Sequence, residues 1–376
     1  AMAARIVLLA LLAASGKAGG REASHAPRAS DDGTCGGSGE RMQYGDVDAV
    51  IPAGHIVCTT PMILRRLRHY MGVRLIYLIT PAAYVSMCRS IARSQPYVRC
   101  LDQDDVLPGV TYAKLEALAS VEMLAKRRVG WYLQQFLKLG VALSLDGLST
   151  TYLVWDSDNL ALSGLRLRHN GTHTGLCVND KGTSTWGGYR KFYNLMTGLE
   201  WKAPVPPRFG LKRGPNYVCG YMLVERAIVR DLTAHINSHL SSLASMHGLS
   251  FPWNVYMLAN EQIGRKLYMS EYDTYGSWVH TRQPDRVIML RLGYERNPRE
   301  LVDRARRSKA CCLSEETVCS FREKSRVPLL IWEEHKLRHR DKQCADNATS
   351  SAGRPTMNSS QYVPVLTTSS SVRHMP

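Results

Sequence analysis

After a short apolar run at its start, Ile6 to Ala14, the chain has no stretch near the roughly 20 consecutive apolar residues that a helix needs to cross a bilayer. The expectation is a soluble mature protein without a transmembrane span. The clustered cysteines Cys311, Cys312 and Cys319 lack Cys-x-x-Cys spacing, so disulfides or buried thiols fit them better than zinc. His235 and His239 fall four apart but lack the glutamate of a His-Glu-x-x-His metalloprotease motif, and they read as ordinary helix surface. Acids are scarce, with 32 Asp and Glu against 48 Lys and Arg. That imbalance favours anionic partners such as phosphorylated small molecules, nucleic acid or acidic membrane surfaces. The basic runs Arg65 to Arg68, Lys126 to Arg128, Arg304 to Lys309 and Lys336 to Lys342 are not interleaved with aromatics. Nucleic-acid binding of the single-strand kind, which stacks bases on aromatic rings, is therefore disfavoured.

What is present suits a folded enzyme. A chain of 376 residues, 44% hydrophobic and 21% charged, can bury a substantial core and is not wholly disordered. Met2-Ala-Ala-Arg5, the apolar run and the small residues after it read as a signal peptide over 1–20. Arg5, Lys17, Arg21 and Arg28 among Ala and Ser leave an organelle transit peptide as the alternative. Ten cysteines, and Asn-x-Ser/Thr sequons at Asn170, Asn347 and Asn358, agree with the lumen of the secretory pathway or secretion. A linker is expected over 21–50, the main domain over 51–300, a basic extension over 301–345 and a disordered Ser/Thr-rich tail over 346–376.

Within the main domain, His55 to Thr60 reads as a first strand and Pro61 to Met71 as a helix with proline in its first turn. Arg74 to Thr80 is a continuous apolar strand, Pro81 to Arg93 a helix, and Tyr97 to Leu101 a third strand. Strand and helix alternate, so the prediction is an α/β fold with a parallel sheet between helices. A helical region from Tyr112 to Leu139 follows. In it, Leu133, Phe136 and Leu137 mark a core face, while Trp131, Gln134, Gln135 and Lys138 share another that is either a polar site or a solvated surface.

Tyr152-Leu-Val-Trp-Asp-Ser-Asp158 then reads as a fourth parallel strand ending on paired carboxylates. Residues two apart on a strand point the same way, so Asp156 and Asp158 can converge on a hard divalent cation if the strand runs through them. Open α/β sheets bind ligands beyond the carboxyl ends of their strands, which is where this pair lies. Asp-Ser-Asp-Asn is equally a good turn and capping sequence. Further on, Tyr217 to Val224 reads as a strand, and Glu225 to Met246 as an amphipathic helix stopped at Gly248. Ser270-Glu-Tyr-Asp-Thr-Tyr-Gly276 is a second acidic cluster, and its Ser270 and Asp273 also match a helix capping pattern.

Three segments in order, Gly130-Trp-Tyr-Leu-Gln-Gln-Phe-Leu-Lys138, Tyr152 to Asp158 and Ser270 to Gly276, resemble a little-characterised family of GT-A type glycosyltransferases. The resemblance runs from about His55 to Arg296. It implies a GT-A type, Rossmann-like sheet with a mixed α+β acceptor-side half. It further implies a nucleotide-sugar donor, a divalent metal (Mn²⁺ or Mg²⁺), and Asp156 and Asp158 as the metal- and donor-binding pair. The acceptor is a glycan, a protein or a small molecule. If the reaction inverts configuration, a carboxylate must deprotonate the acceptor hydroxyl; Glu271 is the first candidate and Asp273 the second. His280 is an additional candidate contact to metal or diphosphate, since neutral imidazole can ligate. A non-catalytic carbohydrate- or nucleotide-binding relative of the same fold is the alternative, and a basic nucleic-acid-binding protein a more distant one.

Overall fold

The computed structural model describes residues 40–169, 173–179, 186–204, 215–291, 294–307, 313–325 and 327–332. The leader at 1–20, the three sequons and the tail at 346–376 lie outside the described residues.

The first half alternates as expected: β1 (Asp48–Pro52), α1 (Thr60–Met71), β2 (Ile76–Thr80), α2 (Ala82–Ser94) and β3 (Val98–Asp102). Three short helices, α3 (Gln103–Val106), α4 (Tyr112–Ala117) and α5 (Val121–Ala125), lead into α6 (Val129–Ser144) and then β4 (Thr151–Trp155). Next come β5 (Asn159–Ala161), β6 (Arg168–His169), β7 (His173–Val178), α7 (Trp186–Thr197), β8 (Tyr221–Glu225) and α8 (Arg226–Ser241). The remaining elements are α9 (Trp253–Gln262), α10 (Glu271–Arg282), β9 (Val287–Arg291), β10 (Tyr294–Arg296), α11 (Arg299–Arg307), α12 (Glu315–Lys324) and β11 (Leu329–Ile331).

The central sheet has the order β3-β2-β1-β4-β8. Its first four strands are parallel and β8 is antiparallel to β4. This is the expected α/β class, a mostly parallel sheet flanked by helices. Two small sheets, β10-β11-β5 and β6-β7-β9, make the second half mixed. Alternate side chains along a strand point to opposite sides. In β1, β2, β4 and β8 nearly all of them are buried, so these strands are covered on both faces, whereas the edge strand β3 is partly exposed. Val50, Tyr77, Ile79, Tyr152 and Val154 join one core with α6, α8 and α10. Ala49, Ile51, Leu78, Leu153 and Trp155 join the other with α1.

The first strand differs from the expectation. It is Asp48–Pro52, whereas the residues from His55 onward form a loop and then enter α1 at Thr60. An aspartate and a proline are unusual in a central strand, and both are accommodated locally. Asp48 is fully buried, accepts a two-pronged bond from Arg74 at 2.8 and 2.7 Å, and accepts the Ser149 N–H at 2.8 Å. Pro52 pairs only on the β2 side, since the β4 ladder stops at Val50. The strand before α8 also starts later than expected, at Tyr221 rather than Tyr217.

Every cysteine among the described residues is disulfide-bonded. Cys88–Cys100 ties α2 to β3, and Cys177–Cys219 ties β7 to the residue just before Gly220. His235 and His239 on α8 lie against carbonyls at the end of α7, those of Thr197 at 2.8 Å and Leu195 at 3.2 Å. They serve helix packing, where the sequence suggested ordinary helix surface.

Candidate active site

β4 ends at Trp155, and the paired aspartates sit in the turn that follows it. The strand does not continue through them, so a turn, and not strand pleat, aims their carboxylates. Asn159 N–H donates to the Asp156 carbonyl at 3.0 Å and closes the turn. The Gly220 carbonyl accepts twice, from Asp156 N–H at 2.8 Å and from the Asn159 side-chain amide at 2.6 Å. On the far side, Trp332 N–H donates to the Asp158 carbonyl at 2.7 Å. Trp155 is buried beneath the turn, its indole N–H on the Asn159 carbonyl at 3.0 Å. With its backbone held this way, the turn leaves both carboxylates partly exposed at the carboxyl end of β4.

Lys138 connects this turn to the rest of the site. It is buried on α6, and its Nζ lies 2.5 Å from Asp156 Oδ1 and 2.5 Å from Glu271 Oε1. The Tyr152 hydroxyl, on β4, donates to the Lys138 carbonyl at 2.8 Å and fixes the helix over the strand. One turn earlier, the Gln135 side-chain oxygen accepts the Glu271 N–H at 3.1 Å. That N–H belongs to the first turn of α10, where backbone donors have no partner within the helix. Tyr272 completes the group, donating its hydroxyl to Asp156 Oδ1 at 2.7 Å. The face of α6 that was either a polar site or a solvated surface is therefore, at Gln135 and Lys138, a buried polar site.

The electrostatics follow from two carboxylates on one ammonium, with Tyr272 beside them. Burial works against the charge of Lys138, but Asp156 and Glu271 outweigh it and raise its pKa above the usual lysine value. Burial pushes the Glu271 carboxyl up and the negative charge of Asp156 adds to this, with Lys138 pulling the other way. The Tyr272 hydroxyl is held well above its usual value by burial and then by the charges of Asp156, Glu271 and Asp158. Asp158 is thus close enough to act on the same hydroxyl.

Asp273 and His280 belong to a different group. Successive residues of an α-helix are about 100° apart, so Asp273 turns away from Glu271 on α10. It is buried, and its Oδ1 accepts the Tyr217 N–H at 3.0 Å while its own N–H donates to Ser270 Oγ at 3.3 Å. Its pKa is raised to about 7, chiefly by burial, with the Tyr217 bond opposing and the Glu271 charge adding. His280 Nδ1 lies 2.8 Å from the Tyr217 hydroxyl, nine residues and about 13 Å of helix rise beyond Glu271. The structure does not bring His280 to the aspartate turn. Burial and the nearby Lys202 lower its pKa. Among the described residues no group of three or more His, Cys, Asp or Glu side chains is arranged to hold a metal ion.

The sequence reading placed Lys138 on a face that was either a polar site or a solvated surface, noted Gly220 only as a point of close backbone approach or a bulge, and gave Tyr272 no role. The signal for Lys138 was a lysine three residues from a glutamine inside an otherwise apolar run. For Tyr272 it was only its place inside the acidic segment, and for Gly220 only the possibility of close backbone approach.

No protein-family model and no curated protein matches the sequence. Among solved structures the chain is similar to mouse xyloside xylosyltransferase 1, at 14% identity and a TM-score of 0.36 over 76% of this chain and 98% of that one. It is also similar to the galactosyltransferase LgtC in complex with donor and acceptor sugar analogues, at 9% identity and a TM-score of 0.37 over 80% and 96%. A third similarity is to glucosyl-3-phosphoglycerate synthase of Mycobacterium tuberculosis, at 12% identity and a TM-score of 0.29 over 59% and 76%. Likenesses this distant leave the side chains of the site to carry the functional reading.

Proposed function

We propose that the protein is a metal-dependent glycosyltransferase that moves a sugar from a nucleotide-sugar donor to a hydroxyl acceptor. One observation carries the reading. Lys138 joins Asp156 to Glu271, so the three segments that resemble a glycosyltransferase family meet at one point beyond the carboxyl end of a central parallel strand. Separate segments that share only a core would have no reason to converge through their polar side chains.

The residues fit a divalent cation bound together with a diphosphate. Asp156 and Glu271 against Lys138, with Asp158 in the same turn, are three carboxylates and one ammonium, a net of two negative charges when all are ionised. A hard cation such as Mn²⁺ or Mg²⁺ takes one or two carboxylates and completes its shell with substrate phosphates and water. Asp158 and the second oxygen of Asp156 would hold it. When bound, such an ion offsets the negative charge that grows on the leaving diphosphate. The chain's own part is to fix the two carboxylates. Lys138 and Tyr272 occupy Asp156 Oδ1 and leave that side chain one orientation. Glu271 and Gln135 hold Lys138 and the start of α10 in register.

Glu271 acts through Lys138 in this reading. It is buried behind the lysine, out of reach of an acceptor hydroxyl, and is a positioning residue rather than the base expected from sequence. The two roles separate experimentally. As a positioning residue, Glu271→Gln weakens Mn²⁺-dependent binding of the nucleoside diphosphate and lowers turnover together. As a base, it would lose turnover with binding intact.

The reading is tested with a panel of nucleotide sugars and Mn²⁺, scoring hydrolysis or transfer with and without chelator. Activity in the wild type, abolished by chelator and by Asp158→Ala, is expected. Full activity in Asp158→Ala would remove the metal assignment.

A further inference from the structure

The polar face of α6 continues past the buried centre to the surface. Trp131, Gln134, Gln135 and Lys138 are spaced i, i+3, i+4, i+7 and share one side of the helix. Gln135 and Lys138 are buried and used by Glu271, whereas Trp131 and Gln134 are half-exposed. The Gln134 amide lies against the loop after β1, 3.7 Å from where a Gly54 side chain would begin. That loop also lies beyond the carboxyl ends of the parallel strands.

At the surface end the residues form an aromatic platform. Trp131 lies nearly parallel to Tyr189, 14° apart with centroids 6.5 Å apart, and meets Tyr268 edge-on. The Arg128 guanidinium packs on Trp131 at 5.0 Å and on Tyr268 at 5.2 Å. Gly188, next to Tyr189, lets the backbone approach the Lys266 carbonyl, which any side chain there would strike. Four residues that pack on one another this way form a preset surface.

We infer that Trp131 and Gln134 form an acceptor subsite for a carbohydrate chain, taking a sugar at least one residue removed from the one that reacts. This rests on the glycosyltransferase reading above and commits to its glycan acceptor. A sugar ring has an apolar face of polarised C–H groups and a rim of hydroxyls. The negative face of an indole attracts the first, and an amide with a neighbouring guanidinium bonds the second. A purely apolar partner would leave Gln134 and Arg128 unmatched, and an acidic one would not need the indole. The helix rise from Trp131 to Lys138 is about 10 Å, the span of a disaccharide, so an acceptor seated on the platform reaches the aspartate turn.

The test is binding of defined mono-, di- and trisaccharides to the full chain, on a glycan array and then by calorimetry, for wild type, Trp131→Ala, Trp131→Phe and Gln134→Ala. Binding of uridine, guanosine or cytidine diphosphate with Mn²⁺ is measured on the same proteins. Oligosaccharides that bind the wild type and not the monosaccharides are expected. Affinity should drop roughly tenfold in Trp131→Ala and also in Gln134→Ala, and should largely survive in Trp131→Phe, with nucleotide binding retained throughout. The Gln134→Ala and Trp131→Phe variants decide the matter if Trp131→Ala does not fold. Oligosaccharide affinity unchanged in Gln134→Ala and Trp131→Ala, or nucleotide binding with no oligosaccharide binding at all, overturns the subsite. Oligosaccharide binding through Trp131 without any nucleotide binding upholds the subsite and overturns the transferase reading.

Discussion

The Gly220 carbonyl accepts the Asp156 N–H at 2.8 Å, so the turn carrying the paired aspartates hangs from the residue that follows the Cys177–Cys219 disulfide. Gly220 can take this place because its φ is +83°, a left-handed conformation that suits glycine. A side chain there would also meet the Asn159 amide at 2.6 Å. Gly220→Ala should cost about 1–3 kcal/mol of stability, read by thermal or chemical unfolding. Because the clash is at the turn, Mn²⁺-dependent nucleotide binding should weaken in the protein that remains folded. Unaltered binding would mean that the turn's aim does not depend on this carbonyl.

The Lys138 group makes a second, separate prediction about stability. Removing only the lysine leaves Glu271 buried without its cation, and breaking such a pair costs about 3–5 kcal/mol. Lys138→Met should therefore unfold at much lower denaturant than wild type. Adding Glu271→Gln removes the stranded charge, so the double variant should lose less than the sum of its single losses. A double-mutant cycle in urea measures the difference. Strict additivity would show that the two side chains do not interact as their 2.5 Å separation implies.

How far the sequence could be read depended on whether burial left its usual mark. β2 and β4 were legible because both are continuous apolar runs, as strands covered on both faces are. β1 was not, because Asp48 and Pro52 look like breakers until Arg74, Ser149 and the short β4 ladder are seen beside them. The aspartate pair was legible by type and position, but its geometry was not: spacing of two converges on a strand and diverges on a helix. The same rule separates Glu271 and Asp273, the two alternative bases, which are two residues apart and turn to opposite sides of α10. Lys138 was ambiguous because a buried lysine and a solvated one share the same helical spacing, and only its partners on β4 and α10 tell them apart.

Asp48 gives a prediction remote from the site. Its carboxylate is fully buried while Arg74 is nearly half exposed, so the pair is worth less than one wholly inside. Asp48→Ala removes the Arg74 fork and takes the partner from the part-buried Ser149 N–H. The expected loss is about 2 kcal/mol, measured by chemical denaturation. Since Asp48 lies at the opposite end of β1 from the ligand-binding end of the sheet, nucleotide affinity of the folded variant should not change. A loss of affinity without a loss of stability would contradict this placement.

Asp273 makes stability depend on pH with a sign opposite to that of most carboxylates. Its folded pKa of about 7 lies above the ordinary aspartate value of 3.8. The folded state therefore binds the proton more tightly than the unfolded chain does. The advantage of the protonated carboxyl is complete below about pH 4 and is lost as pH rises through about 7. The raised value corresponds to about 4 kcal/mol at most. Asp273→Asn keeps an oxygen for the Tyr217 N–H and cannot ionise. The stability of wild type relative to this variant should fall steadily between pH 4 and pH 7 and level off above. Urea denaturation of both proteins across that range is the measurement, and parallel profiles would show that the carboxyl ionises as easily in the folded protein as in water. His280 shares the Tyr217 contact but is only half-buried, so a His280→Gln control separates its titration from that of Asp273.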